Sequence, residues 1–79
     1  KSRVVRLVDP GGTPLAGALV NIEDTFHGFT DERGEMSVLL RRYRPSTRLH
    51  LVARGFEGRP AEVPDGNDTL TIEMKPSNR

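Results

Sequence analysis

The sequence predicts an all-β protein, a seven-stranded antiparallel β-sandwich, and three observations predict it. Apolar residues recur at every second position in short runs, the spacing of a half-buried strand rather than of a helix. Clusters of Gly, Pro, Asn and Asp cut the runs at intervals of roughly 8–12 residues. No stretch carries helical periodicity above noise, so neither a bundle nor an alternating α/β layout fits. At 79 residues the chain is one domain, spanning 1–79, at the small end of what folds on a single core.

The first strand is expected over Arg3–Val8, with Val5 and Leu7 on one face and Val4, Arg6 and Val8 on the other. Asp9-Pro10-Gly11-Gly12 ends it. Pro sets φ at the second position of that turn and Gly allows positive φ at the third, the type II pattern. Pro14 and Gly17 frame a bend, and Ala18–Glu23 then alternates with Ala18, Val20 and Ile22 inward. Phe26–Thr30 is a weaker strand, interrupted by Gly28 and suited to a sheet edge.

Asp31-Glu32-Arg33-Gly34 is a turn, in which Asp can bond its own backbone and Gly is free to take positive φ. Glu35–Leu40 alternates again, with Met36, Val38 and Leu40 inward. A basic loop, Arg41–Thr47, is broken by Pro45; Arg48–Arg54 returns to strand with Leu49, Leu51 and Ala53 on one face, and Phe56 caps the core. Arg59–Val63 contains Pro60 and is followed by Pro64, which confines it to an edge because proline donates no ladder bond. Asp65-Gly66-Asn67-Asp68 reads as a hairpin turn into the last strand, Thr69–Met74, with Leu70, Ile72 and Met74 inward.

Composition narrows the function classes. The chain has no cysteine, so neither disulfides nor a thiolate metal site supports it. A formal charge of +1 provides no field for steering toward nucleic acid or a membrane surface. No apolar run approaches the roughly 18–20 residues of a membrane-spanning helix. Of the 12 basic residues only Lys1 and Lys75 are not arginine, a bias expected of a GC-rich coding genome. The chain opens on Lys1 rather than Met and reads as a domain excised from something longer.

In order and spacing, Val5-Arg-Leu-Val-Asp9-Pro-Gly-Gly12-Thr-Pro14-Leu15-Ala-Gly17-Ala18-Leu-Val20-Asn-Ile22, then Thr30-Asp31-Glu-Arg-Gly34-Glu-Met36, then Leu49-His-Leu51-Val-Ala53-Arg-Gly55-Phe56, then Leu70-Thr-Ile72-Glu-Met74-Lys-Pro76 resembles the carboxypeptidase regulatory-like domains. These are Greek-key sandwiches of the prealbumin (transthyretin) type. The resemblance covers nearly the whole chain. Its most specific blocks are Gly-Thr-Pro-Leu-Ala-Gly-Ala and Thr-Asp-x-x-Gly. Val5, where that family usually has Gly, and the Arg41–Thr47 stretch, where it often has a Pro-Gly turn, depart from the pattern. The resemblance implies a non-catalytic domain. Such domains sit beside metallocarboxypeptidase catalytic domains, at the N-terminus of outer-membrane nutrient receptors, or in bacterial surface and secreted proteins. It implies turn roles for Gly12, Gly17 and Gly34, core roles for Ala18 and Val20, and no catalytic residue.

The residues themselves point the same way. A hydrolytic set would have to unite Ser37 or Ser46 with His27 or His50 and a carboxylate, without a Gly-x-Ser-x-Gly elbow. Two histidines are too few for zinc, and neither Asp31-Glu32 nor Asp65–Asp68 has the ligand array of a calcium loop. An intramolecular isopeptide bond needs a buried strand lysine, whereas Lys1 is terminal and Lys75 follows the last inward residue. The remaining candidates are binding surfaces. Arg41, Arg42, Tyr43, Arg44 and Arg48 form a basic, partly aromatic stretch able to engage acidic groups. Leu19, Leu39 and Val52 are apolar on faces expected to be outward.

The expectation is therefore a non-enzymatic accessory module of a larger bacterial extracytoplasmic protein, serving as a spacer, docking or interaction domain. An adaptor for a protein cargo or receptor, and a companion to a metallopeptidase domain, are the alternatives. It is expected to use no cofactor, no metal, no nucleic acid, no small-molecule substrate and no direct membrane insertion. Its partners are expected to be neighbouring domains or another protein.

Overall fold

The computed structural model describes residues 1–77 of the chain. They form seven strands and no helix: β1 (Ser2–Val8), β2 (Leu19–Ile22), β3 (Phe26–Phe29), β4 (Glu35–Leu39), β5 (Ser46–Val52), β6 (Arg59–Pro64) and β7 (Leu70–Glu73). Two sheets result, one of three strands in the order β4-β1-β7 and one of four in the order β3-β2-β5-β6.

The core follows from strand alternation. Val5, Leu7, Val38 and Ile72 of the smaller sheet, with Met74 just past β7, join Val20, Ile22, Leu49, Leu51 and Val63 of the larger, with Ala18 and Ala53 flanking its strands, in one cluster. Each buried Val or Leu is worth roughly 1.5–3 kcal/mol relative to exposure, and these positions are the inward members of period-2 runs. Leu70, Met36, Leu40 and Phe56 pack around the cluster and are only partly covered. As expected, β3 and β6 are edge strands, and Pro60 and Pro64 lie in β6.

Pairing departs from the expected all-antiparallel arrangement. β1 pairs antiparallel with β4 but parallel with β7, from Val5↔Leu70 to Val8↔Glu73. The Asp65–Asp68 segment is accordingly no hairpin turn: β6 and β7 belong to different sheets. The segment crosses between the layers and is held by Arg3, whose Nε donates to the Asp68 carbonyl at 2.8 Å and Nη1 to the Pro64 carbonyl at 3.0 Å. Turn-forming residues mark a change of direction, but they do not say whether the next strand returns to the same sheet.

Asp9–Thr13 and Asp31–Glu35 are the same turn built twice. In each, Asp Oδ1 accepts the backbone N–H groups two and four residues on, all at 2.9 Å. The Gly N–H at the fourth position donates to the Asp carbonyl, and the Asp N–H donates to the carbonyl of the fifth residue. Positive φ falls on Gly12 (88°) and Gly34 (73°) and not on Gly11, so the first turn is not type II. It is a three-residue loop closed by a left-handed glycine.

Two boundaries move. Ser46 and Thr47 belong to β5, with Thr47 buried on the same face as Leu49, which shortens the expected Arg41–Thr47 loop to its first five residues. At the other end β2 stops at Ile22 because Glu23 (φ 52°) and Asp24 (φ 59°) both turn left-handed and Thr25 N–H donates to the Ile22 carbonyl, the backbone of a type I′ turn. A glutamate in that conformation costs on the order of 1–3 kcal/mol, and the bonds its side chain makes offset that cost.

Candidate docking site

Glu23 is the anchor of the basic loop. Its Oε2 accepts the Arg48 backbone N–H at 2.6 Å, and its Oε1 accepts Arg41 Nη1 at 3.0 Å. The Arg48 N–H is the main cause that holds the Glu23 carboxyl below the ordinary carboxylate range; partial loss of solvent opposes it, and the Arg41 guanidinium reinforces it. The loop's other tie is the Arg41 backbone N–H, which donates to Thr47 Oγ1 at 2.9 Å. Between these fixed points the chain bulges outward, with Tyr43 at φ 63° and 97% exposed.

The five expected partner-binding residues are divided by this arrangement. Arg41, Arg42, Tyr43 and Arg44 line one open polar depression of about 530 Å³, together with Lys1 and Asp65. Arg48 lies instead on β5. It lines a separate small recess with Asn21, Asp24 and His50. Arg41 is neutralised by Glu23, whereas Arg42 and Arg44 have no carboxylate within 4.0 Å among the described residues. Their charge is therefore available to a partner.

A second groove, of about 520 Å³, opens between the edge strands β3 and β4 and is lined by Ile22, Phe26, Met36, Leu39 and Leu40, with Glu23 and Arg41 at one end. Because Leu40 and Arg41 line both depressions, the apolar groove runs into the basic one. Its origin is the unequal width of the sheets. The register Ile22↔Phe26 and Val20↔Gly28 puts Phe26 and Gly28 on the inner face of β3, yet among the described residues no fourth strand of the smaller sheet lies beyond β4 to cover them. Met36 fills the space at Gly28, where a Cβ would meet its Cε at 2.6 Å. Phe26 stays 67% exposed. Sequence reading missed this groove, since Phe26 carries the inward parity of a core residue; the one signal was a strand interrupted by glycine.

The three outward apolar residues are also separated. Leu19 is the cross-strand partner of both Phe29 and Val52, giving one apolar row over the outer face of the larger sheet. Leu39, 67% exposed, belongs to the smaller sheet at the mouth of the groove.

Of the residues weighed for chemistry, His27 and Ser37 line the β3/β4 groove together with Glu23, and no hydrogen bond joins the three: the Glu23 carboxylate is taken up by Arg48 and Arg41. His27 and His50 flank Asn21 on the larger sheet, while Ser37 lies on β4. Ser46 Oγ donates to Glu62 Oε1 at 2.6 Å. Among the described residues, no three His, Asp or Glu side chains gather where they could hold a metal ion. Asp31 accepts the Glu35 and Arg33 backbone N–H groups, which lower its pKa, and so serves its turn. Compared with protein-family models and with curated proteins, the chain matches none.

Proposed function

We propose that the chain is a non-catalytic docking module, a β-sandwich of carboxypeptidase regulatory-like type with prealbumin-like Greek-key order, working within a larger extracytoplasmic bacterial protein. The observation that carries the docking role is the continuous surface formed by the apolar β3/β4 groove and the basic loop, where Phe26, Leu39 and Tyr43 stand exposed beside the unneutralised Arg42 and Arg44. Exposed apolar area rimmed by charge is the usual mark of a protein-binding surface. Family membership is supported by the positive φ at Gly12, Gly17 and Gly34 and by the burial of Ala18 and Val20, the positions to which the resemblance assigns turn and core roles.

The adaptor reading, in which the module recruits a protein cargo or receptor, uses the same surface and is favoured by the same two arginines. Capture of partners from the source cell, comparing the native chain with one carrying Arg41, Arg42 and Arg44 changed to Ser, tests docking directly. Loss of the captured proteins is expected. An unchanged set of partners overturns the reading.

A further inference from the structure

The outer edge of β4 is open at two residues and closed on either side of them. Strand parity follows from the bonds at its ends: Leu7 N–H donates to the Gly34 carbonyl and Leu40 N–H to the Lys1 carbonyl, so the even-numbered residues of β4 face β1. The odd-numbered ones face away. Of these, Glu35 is bonded through both its N–H and carbonyl to Asp31, and Arg41 N–H is bonded to Thr47 Oγ1. The N–H and carbonyl groups of Ser37 and Leu39, between them, have no partner among the described residues.

The opposite side of the sandwich is protected. β6 carries Pro60 and Pro64, and the Glu73 carbonyl of β7 accepts Arg59 Nη1 at 2.7 Å. Prolines and covering side chains are how native sheets prevent strand addition. β4 has neither, and beside it Phe26 lies uncovered on the inner face of β3.

Resting on the docking reading above, we propose that β4 receives an extended, alternately apolar peptide segment of a partner protein as a fourth strand of the three-stranded sheet, with carboxylates at its N-terminal end against Arg42 and Arg44. Main-chain groups in a row require a polypeptide occupant, because only a strand offers N–H and carbonyl groups at the repeat of Ser37 and Leu39. The guest's inward side chains cover Phe26 and the groove floor. The guest runs antiparallel to β4, as β1 does on the other edge, and charge then orders its ends. The beginning of β4 is net acidic, with Asp31, Glu32 and Glu35 against Arg33, and its end leads to Arg42 and Arg44. An antiparallel guest therefore runs from an acidic start over the arginines to a basic finish beside the carboxylates.

The test uses three capped peptides on the intact chain: Glu-Glu-Val-Thr-Val-Thr-Lys-Lys, its charge-swapped form Lys-Lys-Val-Thr-Val-Thr-Glu-Glu, and Glu-Glu-Val-Pro-Val-Pro-Lys-Lys, which lacks the central donors. Amide shifts in NMR titrations are expected at Ser37 and Leu39 with the first peptide. The swapped form should bind roughly three- to tenfold more weakly, as two exposed ion pairs allow, and the proline form should not bind. In Arg42→Glu/Arg44→Glu, on an exposed loop, the preference between the first two peptides should invert. Shifts confined to other strands, or equal binding of the proline form, overturn the proposal. So does a concentration-dependent dimer in sedimentation whose Ser37 and Leu39 amides are already protected, since a second copy then occupies the edge. If no peptide binds but the loop serines still abolish capture, strand addition fails and docking stands; if capture is also unchanged, both fail.

Discussion

Glycines that look alike in the sequence have unequal consequences. At Gly34, φ is +73° and an added Cβ would lie 2.6 Å from the Leu7 carbonyl oxygen and 2.9 Å from the Leu15 nitrogen, both backbone atoms that cannot swing aside. At Gly12, φ is +88° with nothing within 4 Å. Gly12→Ala should therefore cost only the left-handed strain of about 1–2 kcal/mol, and Gly34→Ala clearly more, with urea midpoints separating the two. Charge at the residue scale gives a second expectation. Glu23, Asp31 and Asp65 all titrate lower in the folded chain than their ordinary values of 4.5, 3.8 and 3.8. Their stabilisation is complete above those values and is lost as pH falls through the lower folded ones. The denaturation midpoint should drop on acidification from about pH 6 to pH 2, and Glu23→Gln should flatten that drop by removing one of the three. An unaltered pH profile in Glu23→Gln would show that its bonds to Arg48 and Arg41 do not persist in solution.

Among the elements, β5 best shows what pattern alone conceals. Thr47 is 1% exposed and its hydroxyl accepts the Arg41 N–H, tying the basic loop to the start of the strand. Thr47→Val keeps the shape and removes the acceptor, so a loss of about 1–3 kcal/mol is expected. Faster hydrogen exchange at the Arg41 amide should accompany it. Period-2 alternation and the turns between runs marked the strands, least clearly β3 with its interrupting Gly28, and alternation chose the inward set Ala18, Val20, Ile22 and Leu49, Leu51, Ala53, because those faces are buried on both sides of one core. It passed over Thr47, whose polarity hides its burial. It also could not distinguish a hairpin from a crossover at Asp65–Asp68, because local turn chemistry is silent about which sheet receives the next strand. The candidate site was legible in its charge, Arg41–Arg44, and not in its apolar half. The groove exists only because four strands face three.

For the whole molecule, the margin of stability is small. A 79-residue chain is expected to have roughly 4–12 kcal/mol, with no disulfide to help. Leu51 is fully buried in the single core cluster. Leu51→Ala should remove about 2–5 kcal/mol, enough to leave a substantial unfolded fraction at physiological temperature. Calorimetry of the intact chain would read this as a large fall in Tm, and a fall of only a degree or two would mean that the two layers do not share one core. The same economy explains the edge: three strands suffice for the smaller sheet to cover the core, at the expense of leaving Phe26 bare.

The parallel pairing of β1 with β7 has a mechanical consequence. The two strands run side by side in the same direction through the register Val5↔Leu70 to Val8↔Glu73, so the start of β1 and the end of β7 lie at opposite ends of their shared ladder. Tension applied between the start of β1 and the end of β7 would pull the two strands in opposite senses along their own length. The ladder between them would be loaded in shear, all its bonds together, rather than peeled open one at a time. Pulled this way, the fold resists along the line of its strands.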